Sequence, residues 1–173
     1  KMAKTESTFK NMALSLTLIA LGSSAGLGFV YELTKEPIAL SSLNKKLDAI
    51  REVVPAFNND PNGEMYRLAT GEGDSLEIYP ARKDGKIVGY AVNTYTNNGF
   101  SGYINLMAGF TPDGAIINIS VLQQKETPGL GTKMAEPAFK DQFIDKNPVE
   151  FPLKVKKDGG PVDAITAATI SSR

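Results

Sequence analysis

No cysteine and no histidine occur anywhere in this chain. That pair of absences excludes disulfides, thiol redox couples, cysteine-ligated iron–sulfur clusters, histidine-ligated haem, the usual zinc ligand sets, and both Ser-His and Cys-His catalysis. If the protein handles electrons, the carrier is therefore organic. A carboxylate-only metal site would need clustered acids, and the sequence has no Asp-x-Asp spacing that favours one. An excess of charge of one sign is missing too, since 19 basic residues balance 19 acidic ones. The bases are scattered rather than gathered on one segment, so nucleic-acid binding, which needs a basic face to displace counterions, has no support. At 173 residues the chain has room for one ordinary domain plus an appendage.

What is present begins with an uncharged run at residues 11–31. At about 1.5 Å per helical residue it reaches roughly the 30 Å of a hydrocarbon core. Met12, Ala13, Leu14, Leu16, Leu18, Ile19, Ala20 and Leu21 form its apolar part, and Gly22, Ser23, Ser24, Gly26 and Gly28 a softer one suited to close approach by neighbouring helices. Two other readings stand beside a membrane span. Ser23-Ser24-Ala25 is a passable cleavage site for a signal peptide, and a buried core helix has similar length, although such a helix is amphipathic and this one is apolar all round. Lys1, Lys4 and Lys10 precede the run against Glu6, while Glu32, Lys35 and Glu36 follow it, which favours a cytoplasmic N-terminus and an extracytoplasmic remainder. Lys45 and Lys46 narrow that margin.

After the run, Leu43, Leu47, Ile50 and Val54 recur at helical spacing, with Ser41 or Ser42 as a cap and Pro55 as the stop, so a second helix is expected there. Residues 58–63 and 70–74 read as loops. Two hairpins follow: 76–81 with 87–95 around Asp84-Gly85, and 104–111 with 115–122 around Pro112-Asp113-Gly114. Phe139 and Phe143 after Pro137 suggest a short helix, residues 154–156 a further strand, and Asp158-Gly159-Gly160-Pro161 its end. A helix start is expected at Ser171-Ser172-Arg173, and with it a further C-terminal piece. The order implies an α+β fold: a single N-terminal transmembrane helix, then a twisted antiparallel-sheet domain with flanking helices. The expected divisions are 1–32 for the cytoplasmic N-terminus and anchor, 33–75 for a membrane-proximal helix and loops, and 76–173 for the domain.

Two segments carry candidate chemistry. In Glu126-Thr127-Pro128-Gly129-Leu130-Gly131, Pro128 and Gly129 predict a type II turn, and Gly131 permits another unusual backbone angle while leaving space for a flat ligand. An ordinary strand-to-helix loop explains the same residues. The segment matches neither common phosphate motif, because Gly129-x-Gly131 lacks a third glycine and no Gly-x-x-x-x-Gly-Lys occurs. The second segment, residues 163–172, has Thr166 and Thr169 separated by Ala167 and Ala168 after Asp163. Helix capping by either threonine is one explanation. The other is an accessible threonine hydroxyl joined to a phosphate, whose charge is met by backbone N–H groups at a helix start.

With ETPGLG at 126–131 and DAITAATISS at 163–172, the chain resembles the FMN-binding domain family, the domain shared by the G subunit of the Rnf complex and the C subunit of the sodium-translocating NADH:quinone oxidoreductase. The likeness covers residues 86–173, including Gly89-Tyr90 and Gly102-Tyr103, and the short spacing between span and domain is more similar to the Rnf member. The resemblance implies an electron-carrying subunit of an ion-translocating ferredoxin:NAD oxidoreductase, with no substrate turnover of its own. It implies FMN held covalently by a phosphoester on Thr169 and installed by a flavin transferase. Thr166, Ala168 and Ser171 are then expected at the phosphate end, and Glu126, Thr127, Gly129, Leu130 and Gly131 beside the ring or ribityl chain. Partners implied are the lipid bilayer and the other membrane subunits of the Rnf-type complex, at the inner (cytoplasmic) membrane with the domain periplasmic or otherwise extracytoplasmic. Ala167 departs from the family's usual Gly or Ser. An anchored binding or structural module without a redox group, and the equivalent flavin subunit of the quinone-reducing complex, remain alternatives.

Overall fold

The computed structural model describes residues 8–70 and 75–173. The expectations for Lys1, Lys4 and Glu6, and for the loop at 71–74, lie outside the described residues. The chain divides into two compact units, Lys1–Asn44 and Lys45–Arg173.

In the first unit, helix α1 (Phe9–Val53) begins and carries the apolar run. Among the described residues it is the one helix long and apolar enough to cross a membrane, and none of its most apolar stretch is buried. Leu14, Leu18 and Ile19 are all exposed. The separate helix capped at Ser41 or Ser42 is not seen, because α1 runs without a break through Pro37. Proline inside a helix removes one ladder bond and costs about 3 kcal/mol. Strong helix formers on both sides, among them Leu33, Lys35, Glu36, Ala39 and Leu40, carry the helix through it.

The second unit holds the last turns of α1 and a five-stranded antiparallel sheet in the order β1 (Tyr66–Ala69), β2 (Ser75–Lys83), β3 (Lys86–Gly99), β4 (Gly102–Phe110) and β5 (Ile116–Gln124). Both expected hairpins form. Asp84 and Gly85 have φ of 52° and 78°, the pair of positive angles that a tight two-residue turn needs. Two further features were not expected: the short edge strand β1, exposed along its whole length, and a third hairpin joining β3 to β4 through Phe100 and Ser101.

Alternating β4 positions face two separate cores. Met107 packs with Tyr79, Ala81, Ala91 and the α1 residues Ala49, Ile50 and Val53. Each large side chain fully buried there contributes on the order of 1.5–3 kcal/mol. The helix end lies so close to β4 that a Cβ on Gly109 would overlap the Val53 carbonyl. Ile104 packs on the other core with Met134, Ile165 and Ala168. The expected helix around Phe139 is the single turn α2 (Pro137–Lys140) followed by a 3-10 turn at Asp141–Phe143. Two expectations fail here. Residues 154–156 form only one bridge, Val155 to Val162, and the helix start at the C-terminus is a run of turns.

Candidate functional site

The strand β5 ends at Gln124, and the chain then turns sharply. Leu130 N–H donates to the Thr127 carbonyl at 3.1 Å, with Gly129 at φ 74°, which is the type II turn expected from Pro128-Gly129. The chain makes a second turn of this kind near its C-terminal residues. Ala168 N–H donates to the Ile165 carbonyl at 3.0 Å, and the third residue of that turn, Ala167, has φ 62°. Positive φ there explains why glycine suits the position and why an alanine is strained.

Ser172 braces this second turn from behind, accepting from Ile165 N–H at 3.0 Å and donating to the Ala168 carbonyl at 2.9 Å. Gln142 fixes its base by exchanging two hydrogen bonds with the backbone of Asp163, at 2.7 and 3.2 Å. Ser172 N–H reaches the Ala168 carbonyl at 3.2 Å, closing one helix-like turn. The N–H groups of Thr169, Ile170 and Ser171 inside that turn have no acceptor among the described residues, and neither does the Thr169 hydroxyl. One short turn thus offers a free hydroxyl beside three free N–H donors, the arrangement that accepts an anionic oxygen.

The two turns enclose an open cavity of about 330 Å³. Glu126, Thr127, Leu130 and Gly131 line it from one side, and Ala168, Thr169 and Ser171 from the other. These are seven of the nine residues expected at the site. The remaining two lie elsewhere: Gly129 stands exposed at the turn apex, and Thr166 is exposed on a separate cleft of about 260 Å³ beside Lys133 and Gln142. Gly131 differs from expectation as well. It is not at positive φ, and the space above it is filled by Glu126, whose Oε2 would lie 2.6 Å from an added Cβ.

Phe100, Ala167 and Ile170 also line the cavity and were not expected there. Phe100 sits at the β3–β4 turn, where Asn98-Gly99 and Gly102 were the available turn signal. Glu126 is the one buried charged residue among those described, at 5 % exposure. Its Oε1 accepts from Ser101 N–H at 3.0 Å and its Oε2 from the Ser171 hydroxyl at 2.8 Å. Apolar walls with a few convergent polar groups, in a volume near the lower end of roughly 300–1,000 Å³, are typical of a small-molecule site.

A family profile described as the FMN-binding domain matches residues 99–173. The chain is 33% identical to the G subunit of the ion-translocating oxidoreductase complex of Aliivibrio fischeri strain MJ11, over 96% of this chain and 84% of that protein. It is 30% identical to the G subunit of the Na(+)-translocating ferredoxin:NAD(+) oxidoreductase complex of Acetobacterium woodii, over 94% and 84%. Among solved structures, the C subunit of the Na(+)-translocating NADH-quinone reductase of Parabacteroides distasonis is similar over 70% of each chain, with 23% identity and a TM-score of 0.46.

Proposed function

Because the chain belongs to the family of G subunits of ion-translocating oxidoreductase complexes, we propose that it is the electron-carrying flavin subunit of an Rnf-type ferredoxin:NAD oxidoreductase, with FMN joined to Thr169 through its phosphate. The observation that carries this reading is the cavity shared by the 126–131 and 167–171 segments, with the free Thr169 hydroxyl on its wall.

The residues present fit FMN. Phe100, Leu130 and Ile170 offer apolar surface to a flat ring, and the free N–H groups of Thr169, Ile170 and Ser171 suit the phosphate end. Bound FMN supplies a carrier able to take one or two electrons, so it can join partners of either kind. The protein's share is to hold it. In this reading the Thr169 oxygen would bear the FMN phosphate, the free N–H groups of the turn would meet its remaining charge, and the apolar walls would keep water from one side of the ring. Thr166, on the separate cleft, supports the turn without accepting the phosphate.

The same reading assigns residues 1–32 to the cytoplasmic end and anchor, 33–75 to the membrane-proximal part, and 76–173 to the flavin domain outside the cytoplasm. A flavin transferase loads Thr169, and the other membrane subunits exchange electrons with it. The test uses cells that also express the transferase, read by in-gel fluorescence of denatured protein and by intact mass. Thr169→Ala loses covalent flavin and Thr166→Ala keeps it. Flavin retained in Thr169→Ala overturns the attachment, and a wild-type chain without flavin favours an anchored binding module.

A further inference from the structure

A carboxylate withdrawn from water needs donors and space, and Glu126 has both in an unusual arrangement. Its two donors come from elements far apart in sequence: Ser101 N–H in the β3–β4 turn, next to Phe100, and the Ser171 hydroxyl, two residues beyond Thr169. Its space comes from two glycines. A Cβ on Gly99 would stand 2.7 Å from Oε1, and one on Gly131 would stand 2.6 Å from Oε2. Among the described residues it has no ion-pair partner.

The consequence for Phe100 follows from its exposure. At 67% exposed, the ring has little packing of its own to hold it at the cavity mouth. Its backbone is held by the Gly99–Gly102 pair that closes the hairpin and by the neighbouring Ser101 amide on Glu126.

We propose that Glu126 is the positioning residue of this cavity, a latch whose carboxylate ties the β3–β4 turn to the Thr169 loop and so holds Phe100 as a cover for a flat aromatic ligand. The ligand side of this proposal rests on the flavin reading above; the latch itself does not. Aromatic rings meet in offset or edge contacts, so a cover of this kind needs its backbone fixed to be effective.

Glutamine can replace the carboxylate in the same geometry, its oxygen accepting from Ser101 N–H and its amide donating to the Ser171 hydroxyl. Alanine cannot. Two measurements on the full chain in detergent separate the parts. In the flavin-free protein, Glu126→Ala speeds hydrogen exchange of the Ser101 amide by about tenfold or more, while Glu126→Gln stays near wild type. In flavin-loaded protein, iodide quenching of flavin fluorescence rises in Glu126→Ala and in Phe100→Ala, and returns to the wild-type level in Glu126→Gln. Should Glu126→Ala fail to fold, Ser171→Ala cuts the tie at its other end, releasing the Thr169 loop from the β3–β4 turn: quenching rises while Ser101, still on Glu126, stays protected. Unchanged Ser101 exchange in Glu126→Ala, or unchanged quenching in Ser171→Ala, overturns the latch. Unchanged quenching in Phe100→Ala overturns the cover. A chain that never takes up flavin at Thr169 defeats the flavin reading and leaves the exchange result to judge the latch alone.

Discussion

At the scale of single residues, the most informative backbone angle is that of Ala167, at φ 62° in the third position of a type II turn. An L-residue with a Cβ held in this region is destabilised by roughly 1–2 kcal/mol, and glycine escapes that strain while giving the unfolded chain more freedom, worth about 0.4–1 kcal/mol in the opposite direction. The first effect is larger. Ala167→Gly is therefore expected to raise stability by about 0.5–1 kcal/mol, and Ala167→Val to lower it by more than that. Chemical denaturation of the two variants checks the order. Equal stability of all three would mean the turn relaxes freely.

Among the elements, the junction of α1, β2 and β3 is held by one acid. Glu77 accepts from Lys46 at 2.9 Å, from the Tyr79 hydroxyl at 2.8 Å and from Asn93 at 3.2 Å. The Lys46 ammonium is the main cause that holds its carboxyl at about 2, below the ordinary 4.5, against the opposing effect of burial. A carboxyl depressed in the folded state adds stability that is complete above its unfolded value and is lost as pH falls toward the folded one. The window is thus about pH 4.5 down to 2. The full difference corresponds to at most about 3 kcal/mol, less once solvent screening at the half-open Lys46 side is counted. Glu77→Gln should lower stability at pH 7 and flatten its decline across that window. Thermal melts from pH 7 to pH 2.5 test it, and a decline in the variant as steep as in wild type would assign the acid lability elsewhere.

For the whole molecule, the exposed apolar part of α1 stands out as the one helix among the described residues long and apolar enough to cross a membrane. The proposed orientation puts the lysines before the apolar run on the cytoplasmic side and the sheet domain on the other. Protease added to cells with a permeabilised outer envelope and an intact inner membrane should digest the domain and spare a cytoplasmic marker. Protection of both would reverse the orientation.

The sequence by itself determined whatever depends on neighbours along the chain. The uncharged run, the turns at Asp84-Gly85 and Pro128-Gly129, and the exclusion of thiol and imidazole chemistry all follow from adjacent residues or from composition. The DAITAATISS segment by itself left Thr166 and Thr169 both open, and it was the resemblance that implied Thr169. Only the tertiary structure decided which of these residues meet. It carried α1 through Pro37, added β1 with no burial pattern to announce it, and turned Thr166 away from Thr169 onto another cleft. It also brought Glu126 to Ser171, 45 positions along the chain, and set Phe100 at the cavity mouth. The reason is that a turn is encoded by the dihedral preferences of two or three residues, whereas a cavity exists only after the sheet has fixed the separation of its walls.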